Sequence, residues 1–352
     1  MKIGNVEIGN GIFLAPMEDV SDLPFRVICK KLGADIVYSE FIASEGIIRH
    51  SRQSQRKLII DPEERPTAIQ IFGADVESMV TSAKIVEDSG ADILDINYGC
   101  WVKKVVQREA GAAFLKQPER MVEQTRAVVE AVNIPVTVKT RLGWDQENII
   151  AVDVAQMMEQ AGAKAFAIHC RTRSMGMTGK ADWSWVPKIK EKVTIPVILN
   201  GDVRSAEDCK IAFEEYNADA LMIGRACIGY PFIFHRAKVM MEQGFDPGEP
   251  DLRLKIDTCL EHLRLTVEHR GEHGLLVFRK HYSGYLKGYY NASAVRRELM
   301  EFTTFDAVRT VLEKYYDELD RTDKLEPISK VRTVQKLSCE SDAYVDKQTA
   351  GT

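Results

Sequence analysis

No run in the 352 residues approaches the roughly 20 consecutive apolar residues that a membrane-spanning helix needs, and the N-terminal stretch MKIGNVEIGNGIFLAPM has no basic segment leading into a long apolar one. A cytoplasmic protein with no membrane partner is expected. Cysteine is sparse and unpatterned: seven residues, an odd count, with no CxxC spacing, so neither a disulfide framework nor a zinc knuckle is suggested. Reduced thiols and no metal are expected. Strong charge of one sign is also lacking. A net charge of −5 argues against indiscriminate polyanion binding and leaves any basic surface to be found by position. No internal repeat is visible beyond an alternation of strand-like and helix-like segments. What remains is the composition of an ordinary globular chain, 45% hydrophobic and 28% charged. Its length holds a barrel of about 250 residues plus a smaller unit.

Short Val/Ile/Leu-rich runs recur at Ile12–Met17, Asp35–Glu40, Thr67–Phe72, Asp92–Asn97, Val136–Arg141, Ala165–His169, Val197–Gly201 and Ala220–Arg225, each followed by a helical pattern. Most of the runs are largely apolar between their polar ends, as burial on both faces demands. Eight such βα units predict a closed (β/α)8 TIM barrel over residues 1–243 rather than an open sheet. The segment Asp75–Ser89 carries Val76, Met79, Val80, Ala83 and Val86 at helical spacing, with Gly90 as a stop. Met121–Val132 and Ile149–Ala161 read the same way. Residues 244–250 hold two glycines and two prolines and read as a linker. From 251 to 320 the pattern is helical throughout, with Leu252, Ile256, Leu260 and Leu263 on one face, predicting a small all-helical C-terminal domain. The tail, 321–352, is expected to be partly disordered, with a short helix around Ile328–Leu337 and a frayed end at Ser338–Thr352.

A barrel gathers its chemistry where strands emerge at their C-terminal face. Here the ends supply Ala15-Pro16-Met17, Ser39-Glu40, Gln70, Asn97 with Cys100 beyond, Lys139 with Arg141, His169, Asn200-Gly201-Asp202 and Gly224-Arg225. One or two polar residues there would be plain strand caps; eight sets together are hard to explain that way. The glycine turns after the seventh and eighth strands match where barrels bind phosphate on main-chain N–H groups, and Arg225 adds a fixed positive charge. Lys139 and Arg141 alternate, so both point to one side of their strand. That pair suits negative charge collecting on a reduced flavin ring, and a desolvated lysine equally suits a Schiff base; the residues alone leave both uses open. Gln70 offers donor and acceptor to a pyrimidine-like amide edge. Cys100, with an ordinary pKa near ~8.5, is mostly protonated at neutral pH and able to donate a proton.

In the helical segment no acidic residue occurs from Arg279 to Arg297, where Arg279, Lys280, Lys287, Arg296 and Arg297 are interleaved with Tyr282, Tyr285, Tyr289 and Tyr290. Cations meeting phosphates and tyrosines stacking on bases or ribose would make an RNA face; an ordinary solvated helix with inward tyrosines is the alternative. The string His269-Arg270-Gly271-Glu272-His273 matches the HxxEH metalloprotease pattern, but Gly271 and Gly274 break the helix that pattern needs, so it reads as a polar helix end.

The strings APMEDVSDLPFR (15–26), NYGC (97–100), VTVKTRLGWD (136–145), HCRTR (169–173), ADW (181–183), ILNGDV (198–203) and MIGR (222–225), with Gln70 between the first two, resemble the tRNA-dihydrouridine synthase family, most of all its bacterial B type. The resemblance runs over the whole barrel and, more loosely, into FRKHYSGYLKG (278–288). It implies an FMN-containing barrel in which NADPH reduces the flavin and the flavin reduces the 5,6-double bond of uridine in the D-loop of tRNA. Carried over residue by residue, Pro16, Met17 and Glu18 line the flavin, Gln70 and Lys139 bind its ring and His169 lies beside it. Asn200, Gly201, Asp202, Gly224 and Arg225 match the phosphate turns. Cys100 matches the cysteine that protonates C5 of the uracil ring. Asn97 and Arg141 are assigned to the substrate, with the basic stretch of the helical domain as the tRNA surface and a monomer as the working unit. Two positions depart from the family pattern: Trp101 stands where proline usually follows the cysteine, and Gln107-Arg108-Glu109-Ala110-Gly111 replaces a stretch of small residues. Rival readings are an FMN-dependent oxidoreductase of small pyrimidines, a Schiff-base aldolase, and a flavin-stabilised tRNA-binding protein with weakened catalysis.

Overall fold

The eight apolar runs become eight parallel strands: β1 (Ile12–Leu14), β2 (Ile36–Tyr38), β3 (Thr67–Phe72), β4 (Ile93–Asn97), β5 (Val136–Arg141), β6 (Phe166–His169), β7 (Val197–Asn200) and β8 (Ala220–Ile223). In this computed structural model, which describes residues 1–328, each strand pairs with its neighbours in sequence and β8 returns to β1, so the sheet closes into a barrel. β3 and β5 keep the bounds expected from sequence. In β1, β2, β7 and β8 the polar ends leave the ladder early, whereas Asn97 and His169 stay in theirs. Pro16 has no N–H to give it, and Gly201 turns out of the strand region at φ +115.

Strand alternation sorts the core into two layers. Inside the barrel lie Phe13, Ile36, Tyr38, Ala68, Ile93, Ala165, Ala167, Ile198, Ala220 and Met222. A hairpin of Lys2–Ile3 with Val6–Glu7 adds Ile3 and Ile8 to this cluster. The hairpin's turn at Gly4 lies against Pro135 and Lys164, the residues just before β5 and the sixth run, so the hairpin sits at the N-terminal end of the barrel. The outward residues, among them Ile69, Leu94, Ile96, Val138, Ile168, Leu199 and Leu221, pack under the helices. The helix Val76–Asp88 is typical: Asp75 caps it by accepting from the Ser78 N–H at 2.8 Å, and Met79, Ala83 and Val86 are its buried stripe. The helix Pro118–Ala131 starts three residues before the expected Met121, with proline at its first turn where no N–H is needed.

The chain divides into two compact units, Met1–Gly248 and one beginning at Glu249. The last helix of the first unit, Phe232–Gln243, ends at Gly244 in the left-handed conformation, φ +79, and Asp246 is gripped by Arg236. The second unit is helical, with Leu252–Arg270, His273–Phe278, Tyr282–Tyr285, Ala292–Leu299 and Phe305–Arg321. Leu252, Ile256, Leu260 and Leu263 are buried on one face of its first helix, as their spacing predicts. That helix stops at Gly271, φ +66, so His269 and His273 belong to different helices.

One expectation for this unit is corrected. Tyr282, Tyr285 and Tyr289 do not face solvent for stacking; all three are buried, and of the four tyrosines Tyr290 alone is exposed. Tyr282 and Tyr285, three apart on one short helix, face the core from the same side, and Tyr289 is buried in the turn beyond it. Lys287 and Arg297 are exposed, while Arg279, Lys280 and Arg296 are half-buried. Among the described residues no helix is long and apolar enough to cross a membrane. The helix expected at Ile328–Leu337 and the frayed end at Ser338–Thr352 lie outside the described residues, apart from Ile328 itself.

Candidate active site

Strand register brings the polar residues together. Gln70 lies opposite Asp95, Asp95 opposite Thr137, Asn97 opposite Lys139, Arg141 opposite His169, and His169 opposite Asn200. Residues opposite one another in a ladder share a face, so these line the inner wall towards the strands' C-terminal ends. They are also wired together. Gln70 donates from Nε2 to Asp95 Oδ2 at 2.6 Å and accepts at Oε1 from Asn97 Nδ2 at 2.7 Å, while the Thr137 hydroxyl donates to Asp95 Oδ1 at 2.6 Å. Asn97 Oδ1 in turn accepts the main-chain N–H groups of Gly99 and Cys100, each at 2.9 Å. Gln70 and Asn97 therefore serve each other before any ligand, and Gln70, fully buried, supports the wall from behind.

That turn holds Cys100 just under the surface, 8% exposed. Burial pushes its thiol above the ordinary range, against the Val102 amide, Arg141 and Lys139, which pull it down. Cys100 is thus a protonated thiol at neutral pH. Lys139 makes no hydrogen bond among the described residues; burial, and then Arg141, lower its ammonium to about 8. Arg141 is occupied by main-chain carbonyls, donating to Gly99 at 2.9 Å, Thr172 at 3.1 Å and Gly176 at 2.8 Å. It ties the loop after β4 to the loop after β6.

On the opposite side Arg171 organises the wall. Its guanidinium pairs with Asp202 at 2.5 Å, donates to the carbonyls of Thr178 and Gly179 at 3.0 and 2.7 Å, and reaches His169 Nε2 at 3.3 Å. Because arginine can only donate, His169 Nε2 accepts, and the proton of the neutral ring sits on Nδ1. Burial and the charges of Arg141, Lys139, Arg171 and Arg225 hold His169 well below its ordinary pKa. Asp202 also receives Arg204 at 2.9 Å and Arg225 at 3.2 Å. Burial raises Asp202, but the bonds from Arg171, the Ala181 amide and Arg204 win and hold it well below the usual carboxylate range. Around it the main-chain N–H groups of Gly201, Asp202, Gly224 and Arg225 make no hydrogen bond among the described residues. Gly201 is required as glycine twice over: φ is +115, and a Cβ would stand 2.8 Å from the His169 ring.

Pro16 and Met17 are half-buried at the end of β1, and the Met17 sulfur faces Gly224. Both carboxylate oxygens of Glu18 accept from the buried Lys57 ammonium at 2.7 Å, the Phe41 carbonyl accepts from it at 3.4 Å, and Glu40 lies 3.4 Å from the same nitrogen. The carboxylates of Glu18, Asp19 and Glu40 are close enough to hold a cation, but Lys57 already supplies the countercharge. Sequence reading missed Asp95, Arg171, Arg204 and Lys57. For the first three a signal existed: Asp95 is an inward acid two residues before Asn97, Arg171 is two residues after His169, and Arg204 follows the phosphate turn. Nothing marked Lys57.

A sequence profile described as dihydrouridine synthase (Dus) matches residues 13–320. The chain belongs to the dihydrouridine synthase family. It is 38% identical over 318 residues to tRNA-dihydrouridine synthase B of Vibrio cholerae, an alignment covering 90% of this chain and 99% of that protein. It is 37% identical to a probable tRNA-dihydrouridine synthase of Rickettsia bellii over 90% of this chain and 98% of that one. Among solved structures the barrel resembles a 2-naphthoyl-CoA reductase, with TM-score 0.54, 14% identity and coverage of 70% of this chain and 52% of that chain. It also resembles a morphinone reductase variant in complex with tetrahydroNAD, with TM-score 0.52, 11% identity and coverage of 68% and 89%. At such identities these two structures show a shared fold. Family membership disposes of the aldolase reading of Lys139.

Within the family the two departures now have structural content. Trp101 is 41% exposed, and its ring lies against Gly176, where a Cβ would come within 3.3 Å of it. The indole thus spans from the Cys100 turn to the loop after β6. Glu109, in place of a small residue, sits in the left-handed conformation, φ +56, with its carboxylate 3.3 Å from Arg120. A glycine would adopt that backbone at no cost, and an exposed ion pair offsets little of the strain.

Proposed function

We propose that the protein reduces uridine in the D-loop of tRNA to 5,6-dihydrouridine, holding FMN in the barrel mouth and drawing its electrons from NADPH in the cytoplasm. The observation that carries this is the placing of a protonated thiol, Cys100, beside an unbonded lysine and opposite a cradle of unbonded N–H groups, in a chain of this family. The residues fit an anionic cofactor. Gly201, Asp202, Gly224 and Arg225 offer main-chain donors to a phosphate, Arg225 and Arg204 offer charge, and Asp202 holds both guanidinium groups in place. Lys139 and the Nδ1 proton of His169 are left to face an electron-rich ring, whereas Gln70, fully buried and bonded to Asp95 and Asn97, backs the wall and does not meet the ring itself. When bound, the flavin supplies the hydride that goes to C6 of the uracil ring.

The chain's own groups do the rest. Hydride at C6 leaves enolate-like charge towards C5 and O4, so an acid must deliver a proton to C5. Cys100 can give one because burial keeps its thiol protonated. A thiol only 8% exposed cannot reach a stacked base, so the uridine must swing out of its strand into the mouth. The exposed cations Lys287 and Arg297 of the helical unit are suited to tRNA phosphates. The test is a single turnover: reduced protein mixed anaerobically with unmodified tRNA should reoxidise as dihydrouridine forms. Cys100→Ala should slow that step roughly 10²–10⁴-fold and leave flavin reduction by NADPH intact. Reoxidation by free uridine as fast as by tRNA, or wild-type-like turnover by Cys100→Ala, would overturn the assignment.

A further inference from the structure

The hydrogen bonds running from the Cys100 turn into the barrel all point one way. At one end two peptide N–H groups, of Gly99 and Cys100, donate to Asn97 Oδ1. A peptide N–H cannot accept, so the amide oxygen of Asn97 must face the turn and its nitrogen must face Gln70. Gln70 is then obliged to turn its oxygen to Asn97 and its nitrogen to Asp95. At the far end stands a carboxylate that already accepts from Thr137. Both ends are groups whose roles do not depend on which way an amide is oriented, so the direction of the whole chain is determined. Gln70, Asp95 and Thr137 are 0% exposed, so no water can take over a lost contact.

We propose that Asp95 is a positioning residue for Cys100, acting as the terminal acceptor that locks Gln70, through Gln70 locks Asn97, and through Asn97 holds the turn that carries the thiol. Asp95 touches neither substrate nor thiol; its effect is relayed by two amides. An asparagine in place of Asp95 could show its oxygen to Gln70 only by turning its own N–H on Thr137, whose hydroxyl would then lose its acceptor. A glutamate in place of Gln70 would set a second carboxylate against Asp95. With both changes the chain closes again: the introduced asparagine and Asn97 both donate to the introduced glutamate, and the charge has moved one place along the chain. The catalytic meaning of the relay rests on Cys100 as the proton donor, but the state of the turn can be read independently.

The experiment measures the rate of iodoacetamide alkylation at Cys100 in the flavin-loaded, full-length protein, followed by mass spectrometry of the Cys100 peptide, in wild type, Asp95→Asn, Gln70→Glu and the double variant. Each single change should release the turn and speed alkylation roughly tenfold, the scale of one misdirected buried hydrogen bond. The double variant should return to within about twofold of wild type. Asp95→Asn should also slow uridine reduction about tenfold more than it slows flavin reduction by NADPH. A wild-type alkylation rate in Asp95→Asn, or a double variant no slower than Gln70→Glu, overturns the proposal. Should a single variant fail to fold, the double decides: folded and slow to alkylate supports the relay, unfolded overturns it. A wild-type protein unable to reduce tRNA would sink the proposed function while the alkylation series still tested the relay.

Discussion

Acidification should unlock the helical unit through a histidine it encloses. His262 lies in the first helix of that unit with Nδ1 3.1 Å from the Tyr285 hydroxyl and its ring 4.6 Å from that of His281. Burial, with the Lys280 charge adding to it, lowers its pKa to about 3. In the unfolded chain it regains the ordinary value near ~6.5. The folded pKa is the lower of the two, so the unfolded chain takes up the proton first as pH falls. Stability is therefore complete above ~6.5 and is lost progressively on the way down to about 3. At pH 5 the gap already traversed is ~1.5 units, or about 2 kcal/mol. For a helical unit of this size that is a fall in melting temperature on the order of 10 °C. His281 is held low by burial as well and acts in the same direction. The assay is guanidinium unfolding followed by circular dichroism at pH 7 and pH 5, in wild type and in His262→Gln, which keeps a polar atom for Tyr285 but cannot titrate. Wild type should lose about 2 kcal/mol more than the variant between the two pH values. Losses equal to within ~0.5 kcal/mol would show that His262 is not held neutral in the fold, and the reasoning would fail.

Other outcomes follow from the site. Arg225→Ala should weaken FMN binding by about 1.5–3 kcal/mol, the worth of a charge-assisted phosphate contact, measured by flavin fluorescence titration; unchanged affinity would remove Arg225 from the phosphate site. Reversing Arg296 and Arg297 to glutamate should raise the tRNA dissociation constant and flatten its dependence on salt, with NADPH oxidation untouched. Unaltered affinity at low salt would make that stretch a solvated surface only. Trp101 donates no main-chain hydrogen bond among the described residues, so Trp101→Pro should fold normally. It should raise the KM for tRNA roughly 5- to 100-fold if the indole stacks on a base, and an unchanged KM would show that the ring only packs on Gly176.

The barrel was legible because a parallel sheet packed under helices needs apolar residues along its outward positions, and runs such as Thr67–Phe72 and Val136–Arg141 supply them at Ile69, Ile71, Val136 and Val138 between the inward polar ones. The strand ends were legible because polar residues there are costly without partners. What escaped was who those partners are. Gln70 and Asn97 look like ligand-binding amides in sequence, and only register shows that they bind one another and Asp95. Asp95 itself, one acid inside an apolar run, carried no visible sign of its hydrogen bonds. Lys57 lies far along the chain from Glu18 and Glu40, so their meeting depends on loops whose paths no periodicity encodes. For the tyrosines both readings stood open in sequence, and the fold adopts the inward one, with Tyr282, Tyr285 and Tyr289 buried.

The hairpin that seals the lower end of the barrel makes the site a cul-de-sac. With Ile3 and Ile8 plugged into the inner apolar layer, a molecule at the polar wall can have arrived only through the open mouth, and it must leave the same way. On the proposed function, the electron donor and the uridine of the RNA would therefore share one doorway. On that chemistry the enzyme would work in alternation, charged by the first visitor, emptied, and discharged by the second.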